Sequence, residues 1–594
     1  MNERSVRVPI PGAYNEVLEN GLPSSHLSQF VEMNAPPTSA RANTSVLIAL
    51  VFFVAIVLLQ YASGAYQGEF GSHPDEAAHV VTGLMVYDYL TSFHWSSPMR
   101  FAEGYYLHYP KVSFGHWPPV FYLGQALWML LFGASRTSLL LLMASLSTLL
   151  TWTVYRVARQ FSPPIIALLA AGVFFTCPVV QQSTFAVMAE IPLTYIVFLA
   201  TLAFGRYLEG KHPYRDASLF ALLASLAILT KANGLLLVLI PGVSLILTRR
   251  FAYLKHPSLW LAVAIVLLLC APFYVLMRDA MRNGLAHQSV SGAFVFEAMP
   301  FFCRHLSRMT GVWVGGFALV GVWHRVIAPL IRKEAVAPLW AVLAGLFVST
   351  WVFHVIIPSS LEMRYLLLLV PAVVLFMADG FHFLDQALAR RLLLAPRWRE
   401  GLVGVVALFV IWWGFALSDK NWHGYSGIAE FITHTEAWTK SILLVSSDPR
   451  GEGMLIAEVA LNDNRPNRYV LRASKMLATD DWRGEGYKKR FTSPAEVMGF
   501  LERLPVRLLV IDTSLSAEAA SEHHRQLQEV TELYPTQWRL VRQDDLTRDG
   551  QLYPAAIHVY VLNGHASQPV GDLEVNMEAA LGRKIQEHNP TAPQ

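Results

Sequence analysis

Between Thr44 and residue 418 the chain passes through twelve apolar stretches separated by short polar links, and this recurrence limits the fold more than any motif does. The first, Thr44 to Ala65, is long enough to cross a bilayer, for which about 20 residues are needed. The others fall near 118–133, 138–158, 164–180, 190–207, 216–231, 234–248, 257–277, 309–331, 337–357, 364–384 and 401–418. Only 15% of the residues are charged and 54% are hydrophobic, against about 25% charged in soluble domains. The polar residues 1–43 lack the basic region and apolar core of a signal peptide, so the first stretch is expected to remain as a helix. A formal net charge of +3 gives no basic face for nucleic acid. Of three cysteines, Cys177 and Cys270 lie in apolar stretches, and the spacing supports neither a metal site nor a disulfide framework.

The stretch 118–133 decides the sidedness. If it crosses, several basic links face outward, against the positive-inside rule. If it lies in the interface, anchored by Tyr122 and Trp128, then Arg156/Arg159, Arg206/Lys211/Arg215, Arg249/Arg250, Arg332/Lys333 and Arg390/Arg391/Arg397/Arg399 all fall on the cytoplasmic side. The second arrangement predicts an α-helical polytopic membrane protein: about eleven spans in residues 44–418, plus interfacial helices in a first outer loop, 66–137. The N-terminus is cytoplasmic. The link 278–308, with Arg278, Arg282, Arg304 and Arg308, runs against the trend.

From Asp419 the composition changes. "SILLVSSD", "NRYVLRAS", "VRLLVIDTS", "WRLVRQ" and "AIHVYVLNG" read as strands, and "MLIAEVALN", "SPAEVMGFLERL" and "EHHRQLQEVTELY" as helices between them. The alternation predicts a soluble, extracytoplasmic α/β domain over 419–570 with a partly parallel sheet. No Gly-rich phosphate loop opens a helix, and "DPRGEG" reads as a turn. Residues 571–594 are polar and expected to be disordered.

On the outer side the polar residues gather. "GSHPDEAAHV" carries Asp75, Glu76 and His79 just past the first span. A carboxylate there can act as a general base toward an acceptor hydroxyl or amine, or merely favour a helix start behind Pro74. "YPKVSFGHWPP" carries Tyr109 and His116 ahead of a rigid Pro-Pro, which is also an interfacial helix start. Glu190 opens a span, where a cap serves equally well. Lys231 is a point charge suited to phosphate, or a snorkelling lysine. Glu362, Arg364 and Tyr365 open a late span; arginine matches phosphate bidentately, although a Glu362–Arg364 surface pair is the plain alternative. Each residue has an ordinary explanation, but an acid, a histidine, a lysine and an arginine share one membrane face.

That ordered set, with Arg136 before the next span, resembles the membrane glycosyltransferases of the C-type fold, in the glycosyltransferase family 39 group. This group includes protein O-mannosyltransferases and the aminoarabinose transferase of lipid A. The resemblance covers about residues 44–420. It implies transfer of a hexosyl or pentosyl group from a polyprenyl-phosphate-linked donor to a lipid, glycan or protein acceptor on the extracytoplasmic face of a bacterial inner membrane. By the same resemblance Asp75 is the base beside Glu76, Lys231 and Arg364 hold the lipid phosphate, and inversion is expected. His79, Tyr109, His116, Arg136, Glu190, Glu362 and Tyr365 would line the substrate sites. Ala78–His79 and His116–Trp117 stand where the aminoarabinose transferases have Arg-Tyr and an acid-Lys pair, which argues against that substrate. No cofactor is required; a divalent ion shared by Asp75, Glu76 and Glu190 is open. The rivals are a secondary transporter, which favours midplane charges and repeats, and a non-catalytic scaffold or sensor with an outer ligand-binding domain.

Overall fold

The structure, a computed structural model, describes residues 39–93, 97–113, 115–278, 290–358, 360–392, 396–439, 441–479, 486–504, 506–563, 573–577 and 583–587. The polar N-terminus to residue 38 and Arg282 lie outside them. Among the described residues seven helices are long and apolar enough to cross a membrane, or eight if the bent pair Pro164–Thr176 and Pro178–Phe185 counts as one span. They are Thr44–Ala62, Arg136–Ala158, Glu190–Glu209, Pro257–Leu276, Gly292–Ile331, Pro338–Ile356 and Met363–Arg391. The stretch 216–231 becomes a 16-residue helix, Pro213–Ile228, and 234–248 is divided into a 3₁₀ turn, Ala232–Val238, and a helix, Leu239–Thr248. The expected interfacial element is a helix of 13 residues, Val120–Phe132, too short to cross. The chain is an integral membrane protein.

Two features set the end of the bundle that carries the polar residues. The helix Pro74–Thr91 starts at an N-cap, His73, whose ring nitrogen accepts from the Asp75 amide, with Pro74 in the first turn followed by Asp75 and Glu76. Proline and acids suit this position because its amides have no helical partner and the dipole is positive there. The late span begins as a 3₁₀ turn, Met363–Leu369, continuing into the helix Val370–Leu392. That helix crosses Gly292–Val322 so closely that a Cβ on Gly380 would clash with the Phe317 carbonyl, and one on Gly321 with that of Phe376. Only glycine permits the crossing, which fixes the span that opens with Arg364.

The C-terminal region forms a five-stranded sheet of order β2-β1-β5-β7-β6: β1 Ile442–Ser446, β2 Tyr469–Arg472, β5 Val506–Asp512, β6 Trp538–Arg548 and β7 Gln551–Leu562. β1 pairs parallel with β2 and β5, and β7 pairs antiparallel with β5 and β6. The expected strands and the helices Pro449–Asn462, Pro494–Arg503 and Glu522–Leu533 are all present. Two short strands, β3 Ala478–Thr479 and β4 Lys488–Lys489, form a separate ladder. In the terminal segment expected to be disordered, β8 Leu573–Met577 and β9 Arg583–Glu587 pair as an antiparallel ladder instead; "LEVNM" alternates apolar and polar residues, the period of a strand.

This region is not a loose appendage. The buried Glu69 carboxylate accepts from the Gly424, Tyr425 and Ser426 amides at 2.9, 3.0 and 2.8 Å, capping the helix Tyr425–His434 from the far end of the sequence. Asp88 pairs with Arg465 at 2.8 Å, and the His108 ring stacks on Tyr469 at 4.0 Å. The loop after the first span and the sheet region are therefore held together by hydrogen bonds, an ion pair and a ring stack.

Candidate functional site

Four segments distant in sequence bring their charges to one place. Arg364 is the hub. Its Nη2 donates to Asp75 Oδ2 at 3.0 Å, Nη1 lies 3.3 Å from Glu190 Oε1, and Nε lies 2.6 Å from Glu362 Oε2. Lys231 Nζ donates to Glu190 Oε1 at 2.6 Å. The Tyr365 ring lies 5.7 Å below the Lys231 ammonium and 5.5 Å below the Arg364 guanidinium, within cation–π range. Its hydroxyl is 2.9 Å from Ser360 Oγ, and its ring stacks on His354 at 5.1 Å. Asp75 and Glu362 keep about a quarter of their side-chain surface exposed, whereas Glu190 is 5% exposed. The cluster therefore grades from an accessible carboxylate inward to a buried ion pair.

His73 completes the outer edge. Its Nδ1 stands 3.1 Å from the Asp75 amide and 3.3 Å from Asp75 Oδ2, and its Nε2 stands 3.2 Å from Glu362 Oε2. Burial alone would lower the imidazole, but the hydrogen bonds to Asp75 and Glu362 outweigh it and raise the ring above its ordinary value. Conversely, burial would raise the Asp75 carboxyl, yet His73 and Arg364 hold it well below the usual range. Glu362 is likewise held down at about 2: burial opposes the shift, but His73, Arg364 and Ser360 prevail. A depressed carboxylate contributes stability that is present above its ordinary value, 4.5 here, and lost as pH falls toward the folded-state value. The difference in melting temperature between wild type and Glu362→Gln should therefore be largest between about pH 5.5 and 6.5, shrink from there down to about pH 2 as Glu362 is protonated, and decrease again above about pH 6.5 as His73 loses its proton. A difference independent of pH over that window would show that Glu362 is not held by these charges.

Glu76 does not join Asp75. It is fully buried on another side of the helix start, accepting from Ser72 N at 2.9 Å, Val187 N at 3.1 Å and Lys420 Nζ at 2.7 Å. Its expected catalytic place is therefore corrected: its oxygens are occupied in fastening the first turn to the segment before Glu190 and to the link into the sheet region. Tyr109 and Arg136 are corrected likewise. The Tyr109 hydroxyl donates to Asp463 at 2.8 Å, and Arg136 donates to Glu458 at 2.6 Å, so both face the C-terminal region. Asp75, Glu76 and Glu190 do not fit a shared ion, since Glu76 is turned onto Lys420 and Glu190 onto Lys231. Among the described residues no group of three or more His, Cys, Asp or Glu side chains is placed to hold a metal.

His79 is buried beside the cluster. Its Nδ1 is 2.9 Å from the Tyr122 hydroxyl, its ring stacks on Trp117 at 4.2 Å, and Phe121 meets it edge-on at 5.5 Å. His116 lies against the same indole at 5.6 Å. Sequence reasoning missed His73 as a site residue; its role as the N-cap before Pro74 is seen only in the fold. It also missed Lys111, whose Nζ donates to the Pro74 carbonyl at 3.2 Å. Burial and the charge of Arg472 pull the Lys111 amine down to about 7, against the opposing pull of Asp75 and Glu452. Nothing in the sequence near Lys111 announces this, because Arg472 and Glu452 come from the distant sheet region.

A family model described as dolichyl-phosphate-mannose-protein mannosyltransferase matches residues 116–276, a segment that includes His116, Arg136, Glu190 and Lys231. No curated protein sequence matches the chain. Among solved structures, ArnT from Cupriavidus metallidurans bound to undecaprenyl phosphate aligns with a TM-score of 0.57 at 14% identity, over 88% of this chain and 99% of that one. The archaeal oligosaccharyltransferase AglB from Archaeoglobus fulgidus, in complex with an inhibitory peptide and a dolichol-phosphate, aligns with a TM-score of 0.50 at 14% identity, over 86% and 80% of the two chains. These alignments, over a bundle of apolar helices followed by a mixed sheet region, show that the chain has the C-type membrane glycosyltransferase fold.

Proposed function

We propose that this protein is a membrane glycosyltransferase that moves a sugar from a polyprenyl-phosphate-linked donor to an acceptor on the extracytoplasmic face of a bacterial inner membrane. The observation that carries the reading is the Arg364–Asp75 contact at 3.0 Å, with Glu190 and Lys231 behind it. The matched family's description and the lipid phosphates bound by the two aligned enzymes support a donor of this class.

In this reading Lys231 and Arg364 bind the donor phosphate. Arginine offers a planar fork for two oxygens and lysine a point charge, and both are more effective where water is excluded. Asp75 accepts the proton of the acceptor group as that group attacks the anomeric carbon; the C–O bond to the phosphate breaks, and its electron pair leaves with the lipid phosphate. A single displacement of this kind inverts the anomeric centre. The geometry also couples the two halves of the reaction. While Arg364 Nη2 is on Asp75 Oδ2, the carboxylate is a weak base. A phosphate that competes for Arg364 weakens that contact and makes Asp75 more basic. The donor would thus prepare the base that activates the acceptor.

The test of donor binding is Arg364→Gln. Loss of a charged hydrogen bond of about 1.5–3 kcal/mol predicts affinity for undecaprenyl phosphate roughly 10- to 150-fold weaker, read by titration of the purified chain in detergent. Unchanged affinity would remove Arg364 from the phosphate site.

A further inference from the structure

Four buried polar atoms of the cluster and its neighbour make no well-aligned hydrogen bond among the described residues: His79 Nε2, Glu190 Oε2, and Arg364 Nε and Nη1; the two arginine nitrogens lie against the Glu362 and Glu190 carboxylates, which leaves His79 Nε2 and Glu190 Oε2. His79 is 1% exposed and Glu190 4%. Buried polar atoms are nearly always satisfied, and each exception calls for a reason. Neither residue lacks support elsewhere. Glu190 Oε1 takes Lys231 at 2.6 Å and Arg364 at 3.3 Å, which leaves Oε2 as a lone acceptor. His79 is clamped by Trp117, Phe121 and Tyr122.

The tautomer of His79 follows from its neighbour. Tyr122 presents its hydroxyl to Nδ1 at 2.9 Å. If the hydroxyl donates there, the ring proton is on Nε2, assigned from the network in the usual way. Burial holds the imidazole down, to about 3, so the ring stays neutral at physiological pH, and the charge of Glu190 acts on it from nearby. The pair thus offers one neutral donor, Nε2–H, and one acceptor, Oε2. A hydroxyl that reaches both would satisfy them, accepting from one and donating to the other. An ammonium has no lone pair to accept from Nε2–H, and it would add a positive charge to a carboxylate already contacted by two cations. The Trp117 indole beside His79 adds an apolar, aromatic wall of the kind that suits a sugar ring.

Building on the donor reading above, we propose that His79 Nε2 and Glu190 Oε2 form a subsite for one uncharged hydroxyl of the transferred sugar, so that a neutral sugar is accepted and one carrying an ammonium in place of that hydroxyl is refused. Specificity toward the sugar then rests on His79, whereas the lipid phosphate is read by Lys231 and Arg364.

The experiment uses the full chain in detergent and four probes: bare undecaprenyl phosphate, a panel of neutral hexosyl and pentosyl phosphoundecaprenols, the monodeoxy analogues of the tightest of these, and the amino-sugar phosphoundecaprenol that carries its amine at the position where the deoxy change costs most. The quantity read is the ratio of each affinity to that of the bare lipid phosphate at pH 7. One monodeoxy analogue should bind roughly 3- to 10-fold more weakly than its parent, and the amino sugar at least about 10-fold more weakly. In His79→Phe, which keeps an aromatic ring against Trp117, the penalty for that one deoxy position should vanish. Equal affinities across the deoxy series, or an amino sugar bound as well as the neutral one, would overturn the subsite even if His79→Phe failed to fold, since both are measured on wild type. Failure of bare undecaprenyl phosphate to bind would count instead against the donor reading itself.

Discussion

Asp75→Asn leaves the chain folded and lowers sugar transfer by roughly 100- to 10,000-fold, the range for removing a positioned general base. The substitution preserves shape, and an amide oxygen can still accept from Arg364 Nη2 at the present 3.0 Å separation. What it removes is the capacity to take a proton. Because Asp75 is also a partner of His73, the loss of its charge should lower the histidine toward its ordinary value, a second signature visible by NMR. Donor binding should survive and even tighten, since Arg364 is released from a competing carboxylate. Transfer at the wild-type rate by Asp75→Asn would remove Asp75 from the chemistry and leave the cluster as a structural ion-pair network.

The second large effect is on stability. Lys420 and Glu76 form an ion pair with side chains 1% and 0% exposed. Removing one partner of such a pair leaves a buried uncompensated charge, at a cost of about 3–5 kcal/mol. Lys420→Met should therefore destabilise the protein by that order, seen as a lower melting temperature in detergent. The double variant Glu76→Gln/Lys420→Met should recover part of the loss, because the buried charge is gone and the amide oxygen keeps one of the two backbone donors, Ser72 N or Val187 N, which now reach different oxygens of Glu76 at 2.9 and 3.1 Å. Additive losses in the double variant would show that the two side chains act separately. Activity should fall along with stability, since the same carboxylate ties the first turn that carries Asp75 to the segment preceding Glu190. Lys420 would then matter to the reaction without touching a substrate.

The spans and the strands were legible because each is a local pattern. Runs such as Arg136–Ala158 and Glu190–Glu209 are long enough to read by length alone, and "VRLLVIDTS" carries the branched apolar residues of a buried strand. Asp75, Glu190, Lys231, Glu362 and Arg364 were legible as a group because each stands at the boundary of an apolar stretch, and the expected sidedness put those boundaries on one face. Pairing was not legible. Asp75 and Glu76 are neighbours in sequence, but successive residues in a helix point about 100° apart, so one meets Arg364 and the other Lys420. Tyr109 and Arg136 resemble site residues in sequence, yet their partners Asp463 and Glu458 lie 354 and 322 residues further on. No local pattern could reveal those contacts. For the same reason the insertion of β7 between β5 and β6 is a property of the folded sheet, not of any one strand.

The most direct measurement is release and transfer of radiolabelled sugar from a panel of polyprenyl-phosphate sugars by the purified full chain in detergent, with bacterial membrane lipid and peptide acceptors, and Asp75→Asn beside wild type. A lipid-linked glycosyltransferase predicts label moved by wild type from at least one donor and not by the variant. Folded wild-type protein that neither binds nor turns over any donor in the panel would contradict the account.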